Sequence, residues 1–388
     1  MTVLNPAREA LPPRRTLAVA GAAHALHDGY TDLILVLLPV WQAEFALGYG
    51  ALALLRGVYS GAMAALQMPS GRLAERWGYA PVLALGTALT ALGYMVAGLS
   101  GGVAGLFLGL TIGGAGASVQ HPIGSAAVAR AYGKGARGPL GAYNFSGDLG
   151  KAAIPAAGSL LLTMMPWRNA MFGLAGFAAL AALAIFALMP AAVPRAIVEE
   201  HHAEGQGRGG FALLFCIGVF DTGVRMGFLT FLPFLLKAKG APLPLIGTAL
   251  ALVFLGGAAG KFLCGWLGAR LGVKWTVLAT EGGTAILILA VLALPLWPAL
   301  ALLPLLGAML NGTSSVLYGT VPELARAGRT EQSFALFYTG TIGSGALSPV
   351  LYGLLGDAVG PGWATFATAM TALAIGPLML ALAPRLKR

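Results

Sequence analysis

The chain has 388 residues, 57% of them hydrophobic and 10% charged, with a formal net charge of +10. A soluble domain carries about 25% charged residues, and 38 Asp, Glu, Lys and Arg side chains cannot cover the two or three soluble domains this length implies. A water-soluble globular protein is excluded, and 57 glycines without a triplet period suit close helix packing in a membrane rather than collagen.

Twelve apolar segments are each long enough to cross a hydrocarbon layer of about 30 Å as a helix of about 20 residues. The first, 16–41, carries His24, His27, Asp28 and Asp32 and ends near Leu38-Pro39. His24, Asp28 and Asp32 stand at i, i+4 and i+8 and His27 joins their face, with Asp28 about 18 Å into the span at 1.5 Å per residue. The second, 51–71, holds Arg56 near one end, and the loop 71–78 (GRLAERWG) leads to the third, 79–99. The fourth, 102–129, has His121-Pro122 at its middle; the fifth, 138–163, has Asp148 and Lys151; the sixth is 169–190. The polar stretch 191–209, with Glu199, Glu200, His201, His202 and Glu204, reads as a solvated linker, although paired histidines can also bind metal. The remaining spans are 210–236 with Asp221 and Arg225, 243–267 with Lys261, 273–294, 296–321, 332–356 and 363–384. Cys216 and Cys264 lie in apolar runs and suggest neither a disulfide framework nor a Cys-rich metal site.

The basic residues sort by side. Seventeen of the 24 Lys and Arg fall on the side of the termini, three (Arg168, Lys237 and Lys239) on the other, and four (Arg56, Lys151, Arg225 and Lys261) within spans. The positive-inside rule then places both termini in the cytoplasm of a multi-pass protein of the cell membrane. The basic charge is a topology signal, and no nucleic-acid partner is expected. The first span is too long for a signal-peptide core, so no cleavable leader is expected.

The sequence repeats at half its length. GRLAERWG at 71–78 matches GWLGARLG at 265–272, superposing Gly71, Arg76 and Gly78 on Gly265, Arg270 and Gly272 at an offset of 194. Leu38-Pro39 matches Leu232-Pro233, Asp28 matches Asp221, Tyr143 matches Tyr338 and Pro155 matches Pro349 within one residue of that offset. The pattern predicts two six-helix bundles of like orientation, 1–190 and 210–388, joined by 191–209, as in parallel-repeat transporters.

The loop 71–78 resembles the signature cytoplasmic loop of the major facilitator superfamily, with Glu75 where that family usually has Asp. The resemblance covers essentially the whole chain. It implies an all-α integral membrane protein of twelve transmembrane helices in two pseudo-symmetric six-helix bundles, the major facilitator fold, with the first, fourth, seventh and tenth spans lining a central cavity. His24, Asp28 and Leu38-Pro39, then His121-Pro122, Ala127-Val128-Ala129-Arg130, Arg137-Gly138, Gly147-Asp148-Leu149-Gly150 and Pro155, are similar to the fosmidomycin-resistance branch of that superfamily. That branch implies proton-driven export of small molecules.

Eight ionisable residues are read inside spans: Asp28, Asp32, Arg56, Asp148, Lys151, Asp221, Arg225 and Lys261. Each costs roughly 2.5–3.5 kcal/mol at a helix centre, so such groups face a bundle interior, where they pair or line water. A carboxylate in a partly dry cavity can alternate between protonated and charged forms as water access changes, which makes Asp28, Asp32 and Asp221 candidates for proton coupling, against a static pairing role. Asp148 and Lys151, at i and i+3, can neutralise one another or open to an anionic substrate. Arg56 has the planar fork for an acidic group but stands near a span end, where it can snorkel. Candidate substrate contacts are His24, Arg56, His121, Asp148, Lys151, Arg225, Asn311 and Tyr318, the last two on a polar stripe with Ser314 and Ser315 that also suits interhelical hydrogen bonding. His24, His27, Asp28 and His121 together offer metal-type ligands. Gly71, Glu75, Arg76, Gly78 and Arg270 form a candidate conformational latch, with ordinary positive-inside charge as the alternative.

Gly150-Lys151 and Gly260-Lys261 lack the first glycine and the hydroxyl of a phosphate loop, and Gly98-Leu99-Ser100-Gly101-Gly102 is a turn rather than a nucleophile elbow. The expected function is a proton-coupled secondary transporter exporting a small organic compound, anions included, by alternating access. The alternatives are a proton symporter taking up a small organic acid and a divalent-metal or metallophore exporter. A membrane enzyme or receptor fits least. The expected partners are the substrate, protons and the bilayer, with no cofactor and a monomeric state.

Overall fold

The computed structural model describes residues 13–190, 210–325 and 329–386, apart from the side chains of Lys134, Thr330 and Glu331. His201 and His202 lie outside the described residues. Among the described residues there is no strand. The helices are α1 (Pro13–Phe45), α2 (Tyr49–Trp77), α3 (Tyr79–Leu99), α4 (Val103–Ala117), α5 (Ser125–Tyr132), α6 (Arg137–Met164), α7 (Trp167–Leu188), α8 (Phe211–Ala238), α9 (Leu243–Ala293), α10 (Leu296–Leu324), α11 (Thr330–Val359) and α12 (Pro361–Leu382).

The expected spans fall on these helices with two differences. The fourth span is not one regular helix: a wide π turn at Gln120–Gly124 separates α4 from α5. Pro122 has no N–H to continue the ladder, and the His121 carbonyl accepts both the N–H of Ser125 and, at 2.5 Å, its Oγ hydroxyl. The eighth and ninth spans, both within α9, are two helices that extend beyond their expected bounds to meet at a kink at Gly272. Gly272 has φ 78° and ψ 164°, and Gly78, its repeat partner between α2 and α3, has φ 86° and ψ 170°. This region is open essentially to glycine alone, so the loop repeat encodes one backbone conformation used twice.

Eight of the described helical segments are long and apolar enough to cross a membrane. α1, α2 and α6 are not among them, and these are the helices that carry His24, Asp28, Asp32, Arg56, Asp148 and Lys151.

Contacts group the described residues into two compact units, one of 13–31, 62–154 and 165–190, the other of 32–61, 155–164, 210–325 and 329–386. Lipid tails give helices no hydrophobic reason to associate, so small residues and hydrogen bonds must hold them together. In the first unit Gly93 and Gly109 set α3 and α4 backbone to backbone, over a core of Val82, Leu83, Val119, Val128 and Tyr143. In the second, Gly256, Gly260 and Gly307 do the same for α9 and α10, over Leu214, Ile217, Val277, Leu317 and Phe337. A side chain at any of these glycines would displace the facing helix.

Polar ties are also duplicated. Ser146 Oγ on α6 donates to the Gly21 carbonyl on α1 at 2.9 Å, and Ser344 Oγ on α11 donates to the Val219 carbonyl on α8 at 2.6 Å. The second pair is the first shifted by 198 residues. The same shift relates the Gln120–Tyr143 contact to that of Tyr318 with Thr341. Tyr338, which the sequence aligns with buried Tyr143, is exposed, and Thr341 takes its place in the hydrogen-bond pattern.

Two of the three basic residues on the sparse side act at helix C-termini. Arg168 donates to the Ser100 carbonyl after α3 at 3.1 Å, and Lys239 donates to the Leu292 and Leu294 carbonyls at the end of α9, where unpaired carbonyls attract cations. At the opposite kind of terminus, Asp357 on α11 accepts the Tyr49 and Gly50 N–H groups at 2.5 and 3.0 Å, capping α2 from another helix, with Gly353 packed against Gly50.

Candidate functional site

The intramembrane charges separate into three clusters. In the first, Asp28 of α1 is the hub: its Oδ2 lies 3.1 Å from Lys151 Nζ and 3.3 Å from His24 Nε2, and its Oδ1 lies 3.5 Å from His121 Nε2. Lys151 arrives from α6 and His121 from the π turn, whose extra width breaks the regular ladder at that point. The side chains of His24 and Asp28 are 3% and 9% exposed, whereas His121 and Lys151 keep 34% and 29%. The acid is therefore buried and the groups that can meet a solute are basic.

The supporting contacts fix this geometry. His24 Nδ1 donates to the Tyr143 carbonyl at 2.8 Å, since a carbonyl can only accept. The His24 ring stacks on Tyr143 at 4.2 Å and meets His121 edge-on at 5.1 Å. With Nδ1 carrying the hydrogen, His24 Nε2 and Asp28 Oδ2 face each other as lone-pair atoms unless a cation, proton or metal, lies between them. Gly147 makes the approach possible, because a Cβ there would fall 2.6–2.8 Å from the His24 ring and Asp28 Oδ2. His24, Asp28 and His121 are also the residues that could hold a metal ion, their ligand atoms lying within 4.8 Å of one another. The Lys151 ammonium already on Asp28 opposes a second cation there.

His27, expected on this face, is not part of the cluster: its Nε2 donates to Thr87 Oγ1 at 2.9 Å, the Thr87 hydrogen being directed to Leu83. Lys151, expected to pair within its own helix, reaches across to α1. Asp148 is buried.

The second cluster corrects the reading of Arg56 as an accessible or snorkelling cation. Arg56 is 1% exposed and its Nη2 lies 3.3 Å from Asp32 Oδ1, with Met226 Sδ at 4.0 Å. Asp32, one helical turn from Asp28 on α1, thus pairs with an arginine.

The third cluster contains a residue the sequence reading omitted. Asp221 of α8 and Glu281 of α9 are both buried. Glu281 is 4% exposed and adds a ninth residue to the eight ionisable groups read inside spans. Its signal was simply an acid inside the ninth apolar span. Arg225 extends from the same helix as Asp221, with Nη2 3.5 Å from Thr222 Oγ1.

The tenth-span stripe is largely absorbed in structure. Asn311 and Ser314 hydrogen-bond carbonyls of their own helix, Asn311 packs on Gly257, and Tyr318 reaches Thr341 on α11 at 3.1 Å. Of the latch candidates, Glu75 and Arg76 are exposed and form no ion pair among the described residues. Arg270 lies over the Trp266 ring at 4.2 Å. Gly71 has open space where a Cβ would stand, while Gly78 serves the turn already described. Lys261 is half-buried on α9.

The family model described as the Major Facilitator Superfamily matches residues 20–209 and 213–388. The chain is 24% identical over 363 residues to the fosmidomycin resistance protein of Escherichia coli (strain K12), spanning 89% of this chain and 87% of that protein. Among solved structures it is similar to a bacterial homolog of the human lysosomal transporter Spinster, in an inward-facing and occupied conformation (TM-score 0.79, 16% identity, 97% of this chain and 98% of that one). It is also similar to the peptide transporter POT in complex with sulfate (TM-score 0.76, 15% identity, 96% of this chain and 95% of that one).

Proposed function

The chain belongs to the major facilitator superfamily, and we propose that it exports a small organic acid in exchange for protons, with Asp28 as the coupling carboxylate. It is an integral, multi-pass membrane transporter of small molecules and not an enzyme. The two bundles, 1–190 and 210–388, work as a monomer in the cytoplasmic membrane with both termini inside, and the loop residues Glu75, Arg76 and Arg270 engage helix ends in one state of the cycle.

One observation supports the assignment: a buried Asp28 whose partly exposed ion-pair partners among the described residues, Lys151 and His121, are basic. The acidic group of the substrate meets Lys151 and His121. For exchange, substrate and proton must exclude one another, which requires the substrate to carry a hydrogen-bond donor as well. That donor bonds Asp28 when the carboxylate is free, and protonation removes the charge and turns one of its oxygens into a donor, which weakens the contact and favours release. Asp32 holds Arg56, while Asp221, Arg225 and Tyr318 act from the second half. The likeness to a protein named for resistance to fosmidomycin supports export over uptake.

A second reading has its own support. If the substrate is an anion without such a donor, it contacts Lys151 alone, and a proton on Asp28 releases Lys151 to it. Proton and anion then bind together, which is symport.

The test is proton movement in inside-out vesicles with an acid interior, challenged with phosphonates, hydroxy acids, simple carboxylates, cationic drugs and divalent metals. Exchange predicts alkalinisation of the interior by acids that carry a donor, lost in Asp28→Asn. Response only to simple carboxylates in right-side-out vesicles establishes symport, and a response to divalent metals alone removes the organic-acid assignment. Full proton coupling in Asp28→Asn refutes the role of Asp28.

A further inference from the structure

A groove of about 620 Å³ lies between α1 and α7 in the first unit, lined by Ala18 and Ala22 of α1 and by Phe177, Ala181, Ala184 and Leu188 of α7. The four α7 residues share one helical face. Ala22, Phe177, Ala184 and Leu188 are exposed, as are Leu180, Leu183 and Phe186 beside them, and α7 is apolar enough to cross a membrane. The groove therefore opens to the hydrocarbon of the bilayer. Between α3 and α4 the glycines bring two backbones together, whereas here space remains between the helices. A void forfeits dispersion contacts along its walls, so an apolar occupant is favoured.

The dimensions and the charge at its mouth say which occupant. From Phe177 to Leu188 the groove follows 11 residues of α7, about 16 Å at 1.5 Å per residue. Half of a hydrocarbon layer of about 30 Å is about 15 Å, the depth of one leaflet. Leu188 is the last residue of α7, so the groove ends where headgroups begin. At that end Arg15 of α1 donates from Nε to the Leu188 carbonyl at 2.7 Å and from Nη2 to the Ala187 carbonyl at 3.3 Å. These bonds use two of the five guanidinium N–H donors and fix the fork at the mouth. They leave its charge unmatched, since among the described residues Arg15 forms no ion pair. Arg14 beside it is exposed. A guanidinium fork matches a phosphate in a bidentate manner, and two adjacent arginines disfavour a headgroup that brings its own ammonium.

We propose that an anionic phospholipid from the leaflet on the side of the termini binds here, one per chain, with an acyl chain in the α1–α7 groove and its phosphate on Arg15. The lipid bridges the start of α1 and the end of α7. It is held by chain and headgroup together, which separates it from lipids that merely cover the apolar surface.

The experiment is native mass spectrometry of the full chain released from nanodiscs that contain phosphatidylglycerol and phosphatidylcholine of identical acyl chains in equal amounts. The expected result is one phosphatidylglycerol retained per chain in preference to phosphatidylcholine. Retention falls about tenfold in Arg15→Gln, as for loss of a charge-assisted hydrogen bond. It is also lost in Ala22→Phe and in Ala184→Phe, which fill the groove and keep Arg15. Either phenylalanine variant reads the groove, so failure of one to yield folded protein leaves the test intact. Equal retention of the two lipids, or retention that survives Arg15→Gln and both phenylalanine variants, overturns the site. Displacement of the lipid by millimolar inorganic phosphate marks a simple anion site and removes the groove from the proposal. A dimer mass lost in the phenylalanine variants makes a second copy of the chain the occupant and refutes the lipid.

Discussion

The Asp357 cap on α2 makes a prediction that depends on no substrate. Asp357→Ala removes both acceptors from Tyr49 N–H and Gly50 N–H while leaving the helices otherwise unchanged. Loss of an N-cap costs about 0.5–2 kcal/mol, and loss of a negative charge at a helix N-terminus adds about 0.3–1 kcal/mol at an exposed site. Asp357 is exposed, so a combined effect of about 1–2 kcal/mol is expected, which is a factor of roughly 5–30 in a two-state equilibrium. Because the cap comes from α11, that factor applies to opening of the α2–α11 contact as well as to fraying of α2. Hydrogen–deuterium exchange of the peptide spanning the α1–α2 turn reads it directly. Protection at Tyr49 and Gly50 falls by that factor in Asp357→Ala and by less in Asp357→Asn, which keeps an oxygen acceptor but no charge. Equal exchange in all three proteins refutes the cap as the tie between these helices.

Other predictions follow from the same contacts. Gly147→Ala pushes a methyl into His24 and Asp28, with about 1–3 kcal/mol of overpacking, and thermal unfolding together with proton-coupled transport should show both effects. Gly78→Ala and Gly272→Ala each force a side chain into a glycine-only backbone region at about 1–3 kcal/mol; Gly71→Ala, which meets open space in a helix, should leave the melting temperature unchanged or raised. Asp32→Asn strands Arg56 without its charge partner, a change of about 3–5 kcal/mol for a broken buried pair. The double variant Asp32→Asn/Arg56→Gln should recover much of the lost thermal stability, and a double variant no better than the single one argues against the pair.

The fold was legible because the bilayer imposes a length and a composition on every crossing, and those survive in the sequence without knowledge of packing. The Gly78 and Gly272 turns were legible for a related reason, since a backbone region open to one residue type leaves that residue as its mark. The site was legible only along single helices. The i, i+4 relation of His24 and Asp28 could be read, and it holds. The partners of Asp28 on other helices could not be read, because helical periodicity says which residues share a face but not which face meets which. The sequence therefore offered Lys151 only its own-helix neighbour Asp148 or an anionic substrate, and its 3.1 Å approach to Asp28 appears only in the packed structure. Arg56 failed in the same manner: its depth from the span end suggested water, and burial came from Asp32 on another helix. Glu281 was visible as an acid in an apolar span, and its burial shows only in the packed structure.

The duplicated hydrogen bonds also show where the two halves differ. Carried forward by the 198-residue shift that relates those bonds, His24, Asp28, His121 and Lys151 fall on Thr222, Met226, Gly319 and Pro349. The fastenings between helices occur in both halves, while the titratable hub occurs in one. The second half carries different buried acids, Asp221 and Glu281, so internal symmetry is kept in the joints of this molecule and not in its titratable groups.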